Sequence, residues 1–193
     1  MAVIAIVGTS GVGKSFLVKQ LASLENAPAF LEGEEGVIPE EVFAEVWEKK
    51  NPVKNWNWFI ARNRIQLERA RKISNAGIDC FIDCTPEIFE AYLVDEHKDQ
   101  HPALLKLIES VSHLKSDKVI LLTASEKKLR ELIRQRNRKV EELDKTIDRS
   151  LRIQDAFLRI AERKKDFIVI DRTNLDFTKD EDLRAVCDKI LNG

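Results

Sequence analysis

The 193-residue sequence predicts a single α/β domain, 1–193, built on a five-stranded parallel sheet with helices on both faces. Three observations carry that expectation. Five short apolar runs, each bounded by turn or charged residues, lie at 3–7, 27–31, 79–83, 118–123 and 167–171. Helical patterns separate them, and strands that alternate with helices pair in parallel, leaving ligands at their carboxyl ends. The first run ends in a glycine-rich turn that opens a helix, where backbone N–H groups and the positive helix end face an anion.

That turn, Gly8-Thr9-Ser10-Gly11-Val12-Gly13-Lys14-Ser15 followed by Phe16, fits the polyphosphate-binding pattern GxxxxGKS in the right strand-to-helix context. The glycines let the backbone approach phosphate closely. Lys14 is placed to reach the β- and γ-phosphates of ATP as a point charge, and the Ser15 hydroxyl to ligate Mg²⁺, a hard cation that prefers oxygen. The helix runs to about Leu24.

The second strand ends at Leu31-Glu32-Gly33-Glu34-Glu35-Gly36, and Glu32 is the carboxylate nearest the strand end. A short amphipathic helix is expected over 39–50, closed by Asn51-Pro52, and a longer one over about 55–75, closed by Gly77. Trp58 and Phe59 on the longer helix and Phe89 further on could supply aromatic surface for a base or serve as ordinary core; both readings stand. The third strand delivers Asp83 to the sheet edge, either as a Mg²⁺-linked carboxylate or as a cap for the next helix. Two helices broken near His101-Pro102 fill 87–114. His97, His101 and His113 lack metal-ligand spacing and read as surface residues.

Past the fourth strand, a helix opening at Ala124-Ser125-Glu126 leads into the most basic stretch of the chain, 127–139. A solvated face explains such runs in general. Here a helix leaving the fourth strand of such a sheet can pass over the nucleotide, so the same stretch can form an Arg-rich lid, about 130–145, presenting Arg134, Arg136 and Arg138 to it. Helical spacing puts Arg134 and Arg138 on one side and Arg136 on another. An amphipathic helix over 143–164 returns to the sheet, the fifth strand ends in a polar loop at 171–177, and a helix closes the chain at about Leu191.

Composition narrows the partners. Lys and Arg number 32 against 33 Asp and Glu, a net charge of -1 that gives no support for a nucleic-acid polymer or a membrane surface as partner. No apolar stretch approaches a membrane span and the first run lacks a basic flank, so a cytoplasmic location is expected. Cys80, Cys84 and Cys187 form no CxxC pair and read as buried, reduced thiols.

With these pieces placed, the chain resembles the deoxynucleoside kinases, the family of the deoxycytidine, deoxyguanosine and deoxyadenosine kinases, over nearly its full length. The resemblance rests on Phe30-Leu31-Glu32, Arg62-Asn63-Arg64-Ile65-Gln66-Leu67, Asp83-Cys84-Thr85, Arg136-Asn137-Arg138 with Glu141 and Glu142, and Asp171 to Phe177, in that order. It implies that Glu32 is the general base on a 5′-hydroxyl and that Arg62 lies near the attacking oxygen. It further implies that Arg136 and Arg138 belong to a lid, that Asp171, Asn174, Asp176 and Phe177 cradle the adenine of ATP, and that two copies pair, with the 55–75 helix a plausible surface.

The chain departs from the family at Cys84, where an arginine is usual. It departs also at Asn55, where a base-reading glutamine stands seven positions before the arginine matched by Arg62, and at Leu132, where the first lid arginine falls. Arg130 or Arg134 could substitute there, and the substrate helix region is short. The expected reaction is transfer of the γ-phosphoryl group of ATP to the 5′-hydroxyl of a nucleoside, with Asn55, Trp58, Arg62 and Phe89 on the acceptor side. A nucleoside monophosphate kinase remains open through Arg62, Arg64 and Arg69. An ATP-binding regulatory module, which would release phosphate without an acceptor, also remains; a GTP switch is disfavoured, since neither Asn-Lys-x-Asp nor DxxG occurs.

Overall fold

Side chains along a strand point alternately to opposite faces, and the first strand divides its residues accordingly. In the computed structural model, which describes residues 1–32, 52–83, 85–95, 101–135 and 143–192, strand β1 (Val3–Gly8) is buried throughout. Ile4 and Ile6 join a core with Leu17, Leu21, Ile120, Leu122, Val186 and Ile190 on one face of the sheet. Val3, Ala5 and Val7 join a second core with Leu67, Ala70, Leu121, Phe157 and Ile160 on the other. A strand apolar on both faces is thus covered on both, as a parallel sheet requires.

The remaining elements follow in order: α1 (Lys14–Leu24), β2 (Ala29–Phe30), α2 (Pro52–Asn75), β3 (Cys80–Ile82), α3 (Pro86–Asp95), α4 (His101–Val111), β4 (Lys118–Thr123), α5 (Glu126–Gln135), α6 (Leu143–Ala161), β5 (Phe167–Asp171) and α7 (Asp180–Asn192). The sheet has five strands in the order β2-β3-β1-β4-β5, and every pairing is parallel. From β1 the chain moves out to β2, and from β3 it crosses back over β1 to β4. The carboxyl end of β1 is therefore the switch point at which such sheets bind ligands.

The expected fold class holds, with shifts at element ends. Strand β2 is confined to Ala29–Phe30 against the expected 27–31, because Pro28 has no N–H to donate; its carbonyl still accepts from the Phe81 N–H at 3.0 Å. Prolines also reset two helix starts. Pro52, read from sequence as the end of a preceding helix, is the first residue of α2, and Pro102 stands in the first turn of α4 rather than between helices. In a first turn the missing N–H costs nothing, since those donors have no intrahelical partner. Pro86 opens α3 in the same way. The described part of the basic helix ends at Gln135, and α6 ends at Ala161 rather than Lys164. The expected helix at 39–50, Cys84, and the lid residues Arg136, Arg138, Glu141 and Glu142 lie outside the described residues.

A third, smaller core joins α2, α3 and α4 through Trp56, Ile60, Phe89, Leu93, Leu104 and Val111. No described helix is long and apolar enough to cross a membrane.

Candidate active site

The carboxyl end of β1 runs into the phosphate loop with Gly8 at φ 143°, Gly11 at 88° and Gly13 at 99°. Gly8 and Gly13 meet the tightest constraints. A Cβ on Gly8 would stand 2.6 Å from the Leu122 carbonyl oxygen of the neighbouring strand, and one on Gly13 would fall 2.0 Å from the Arg172 guanidinium. Gly13 is the N-cap of α1 and no side chain caps that helix. The donors of its first turn accordingly have no side-chain acceptor, the arrangement that suits an anion. Thr9 and Val12 are fully buried, and Phe16 is 42% exposed beside the loop; Ser10 is exposed.

Lys14 folds back over the loop, its Nζ donating to the carbonyls of Gly8 at 3.0 Å and Thr9 at 3.1 Å. A phosphate in the loop offers that ammonium group a charged acceptor in place of two neutral ones.

Asp83 links three elements. Its Oδ2 accepts from the Ser15 hydroxyl at 2.5 Å, while its Oδ1 accepts from the Glu32 backbone N–H at 2.7 Å. The side chain that ends β3 thereby ties the first turn of α1 to the residue following β2. Asp83 is 3% exposed. Among the described residues its carboxylate bonds Ser15 and Glu32 and makes no described hydrogen bond to α3. Ser15 Oγ and Asp83 Oδ2 form a close oxygen pair of the kind Mg²⁺ takes when phosphates and water complete its shell. Among the described residues no group of three or more His, Cys, Asp or Glu gathers as a closed metal cage.

The Leu31–Glu32 peptide is held from its other side too. The Gln66 Nε2 on α2 donates to the Leu31 carbonyl at 2.8 Å, and Gln66 is 1% exposed. Carbonyl and N–H of the peptide that positions Glu32 thus each have a buried side-chain partner.

The acceptor-side candidates divide. Arg62 stands over the Trp58 ring, its guanidinium carbon 4.9 Å from the centroid, and Trp58 meets Phe59 edge to face at 4.9 Å. Phe89 takes the core alternative: it is 6% exposed and packs on Trp56 with centroids 5.6 Å apart. Asn55 is 4% exposed, and its Oδ1 has no hydrogen-bond partner among the described residues. A buried acceptor without a donor costs about 1–3 kcal/mol, a cost that a ligand donor would remove. Arg64 is held in an i,i+4 pair with Glu68 at 2.9 Å, whose carboxyl pKa is lowered first by that hydrogen bond.

At the far strand edge, the loop after β5 is organised by its own carboxylates. Asp171 accepts from the Thr173 N–H at 2.9 Å and hydroxyl at 2.6 Å. Asp176 accepts likewise from Thr178 at 3.1 and 2.7 Å, bonds that hold its carboxyl below the usual range. Asn174 is exposed. Phe177, expected in the adenine-binding loop, is 2% exposed and belongs to the core, under the Arg172 guanidinium at 4.3 Å. Arg134 is exposed on α5. Arg130, the other substitute, is held by Asp144 at 2.5 Å and Glu126 at 2.8 Å. Ser125, Glu126, Lys127, Arg130, Glu131 and Arg134 border an open hollow of about 760 Å³ on this side.

Three side chains went unread in the sequence. Gln66 holds the Leu31 carbonyl, Arg172 the Val12 carbonyl, and Gln154 of α6 accepts from the Ala124 N–H (2.9 Å) and donates to the Ala124 carbonyl (3.2 Å) past the end of β4. A glutamine on the buried face of an amphipathic helix, as at 66 and 154, is the signal that could have found two of them.

No protein-family model and no curated protein sequence matches the chain. Its fold does match solved structures. A deoxyadenosine kinase from M. mycoides with bound dATP superposes with a TM-score of 0.75 at 22% identity, covering 100% of both chains. The same kinase with dCMP and dCDP bound as products gives 0.75 at 20%, covering 98% of this chain and 99% of that one. Thymidylate kinase from Ehrlichia chaffeensis gives 0.63 at 16%, covering 98% and 96%. The likeness is one of fold: the chain shares the five-stranded parallel α/β architecture of these kinases.

Proposed function

We propose that the protein transfers the γ-phosphoryl group of ATP to the 5′-hydroxyl of a deoxynucleoside. The observation that carries this reading is Asp83, which binds the phosphate-loop Ser15 with one oxygen and the Glu32 backbone with the other. That link supports pairing a candidate base, Glu32, with a candidate phosphate site, since the backbone of the one and the hydroxyl of the other share a carboxylate. A primary hydroxyl is a poor nucleophile, and holding it in line while a carboxylate takes its proton lowers the barrier. Glu32 takes that proton, and Lys14 neutralises phosphate charge. Arg62 and the lid arginines, with Arg134 the described member, stabilise the charge that spreads over the equatorial oxygens. Ser15 and Asp83 would hold Mg²⁺, which would supply positive charge against the phosphates. Asn55 and Trp58 face the acceptor, and Asp171, Asn174 and Asp176 the adenine edge.

A second reading, a monophosphate acceptor, draws on the fold likeness to a thymidylate kinase and on Arg62 and Arg69 along α2. The deciding experiment measures ADP release from Mg-ATP with each deoxynucleoside, ribonucleoside and monophosphate, with Glu32→Gln in parallel. Turnover that depends on a deoxynucleoside and is lost in Glu32→Gln is the expected result. A response to monophosphates alone installs the second reading. ADP release at one rate whatever is added overturns both, in favour of a regulatory ATP-binding module.

A further inference from the structure

We infer that Arg172 is a positioning residue for the phosphate loop, holding the Val12–Gly13 peptide so that its N–H faces the anion. This rests on the reading that the loop binds nucleotide phosphates, and it adds a residue that the motif does not contain. Arg172 directly follows β5, two strands from the loop in the sheet order. Its Nη1 donates to the Val12 carbonyl at 2.5 Å across 160 residues of chain.

The argument is one of peptide geometry. No cis peptide occurs among the described residues, and in a trans peptide the carbonyl and the N–H point in opposite directions. A carbonyl fixed toward β5 by a guanidinium therefore sends the Gly13 N–H the other way, into the loop. The donor is charged, so it also polarises the peptide and makes that N–H a better donor to phosphate. A fixed positive charge then stands behind a loop whose ligand is polyanionic.

The surroundings are shaped for a guanidinium. Gly13 leaves the room, since a Cβ there would fall 2.0 Å from Nη1. Phe177 lies against the guanidinium, with its ring centroid 4.3 Å from the guanidinium carbon, and the Arg172 N–H is tied to the Thr123 carbonyl at 2.9 Å. At 5% exposure the charge is costly to bury: desolvation lowers its pKa, opposed by the fields of Asp176 and Glu131. Its Nε has no hydrogen-bond partner among the described residues. Buried charges of this kind add little net stability; what this one fixes is the direction of one peptide.

The test compares wild type, Arg172→Met and Arg172→Lys by calorimetric titration with magnesium tripolyphosphate and, separately, with adenosine, alongside thermal melting. The expected result is tripolyphosphate affinity lowered tenfold or more in Arg172→Met and less in Arg172→Lys, with adenosine affinity changed by under threefold. Should Arg172→Met fail to fold, Arg172→Lys carries the comparison, with an expected loss of about threefold for tripolyphosphate. Unchanged tripolyphosphate affinity overturns the inference. Equal losses for both ligands, with a lowered melting temperature, mark a merely structural residue and overturn it as well. Wild-type protein that binds tripolyphosphate yet phosphorylates no acceptor sinks the kinase reading while the positioning role stands; wild-type protein that binds no tripolyphosphate sinks both.

Discussion

The Ser15 hydroxyl lies 2.5 Å from the Asp83 carboxylate across 68 residues of sequence. Because the second Asp83 oxygen holds the Glu32 N–H, charge and position can be separated by substitution. Asp83→Asn keeps the shape and removes the charge: its amide oxygen can still accept from the Glu32 N–H, while its NH2 must donate to the Ser15 hydroxyl, which reverses that bond. On the kinase reading it lowers kcat/KM by about 100-fold or more, with a little-changed melting temperature and a raised Mg²⁺ requirement. Full activity in Asp83→Asn would remove the carboxylate from the mechanism.

Gln66→Met leaves the Leu31 carbonyl buried without its donor at 2.8 Å. An unsatisfied buried group costs about 1–3 kcal/mol, readable as a shifted urea midpoint. On the kinase reading, in which Glu32 is the base, kcat should fall more than KM changes, because the same peptide positions that residue. A rise in KM with kcat intact would show that Gln66 serves α2 packing rather than the base.

Gly8→Ala forces a Cβ to within 2.6 Å of a backbone oxygen, and strand β4 cannot yield as a side chain could. With φ at 143° the residue is also conformationally strained, so a loss of about 1–3 kcal/mol is expected in equilibrium unfolding. Nucleotide binding should fall with it. An alanine variant as stable as wild type would mean that the β1–β4 contact is looser than described.

Burial, and then the Glu25 carboxylate beside it, push the Cys187 thiol from 9.0 up to about 12. Alkylation at about pH 8.5 should therefore be much slower in folded than in unfolded protein. Since the folded pKa is the higher one, the thiol's contribution to stability is complete below pH 9.0 and is lost as pH rises toward about 12. Burial raises the Cys80 thiol in the same sense. Rapid labelling of Cys187 in native protein is the contrary outcome.

The strands and the phosphate loop were legible because each is a local pattern: apolar runs of the right length, and a motif whose spacing is its own geometry. Helix ends were less legible where proline decided them, since Pro52 closes one helix or opens the next depending on which side folds. Long-range partners were not legible at all. Gln66, Gln154 and Arg172 meet backbone 35, 30 and 160 residues away; a glutamine on a buried helix face signals that a polar partner exists, as at 66 and 154, but not which one. The burial of Phe177 was not legible either: the resemblance places it in an adenine-binding loop, and nothing in its neighbours reveals that its ring lies under the Arg172 guanidinium.

The third core, joining α2, α3 and α4, is separate from the two that clasp the sheet. On the kinase reading the donor end is built into the sheet, while the acceptor end leans on this smaller unit. Repacking Trp56, Ile60 or Phe89 can then retune which acceptor fits without rebuilding the machinery that holds ATP, which makes substrate choice the more evolvable half of the molecule.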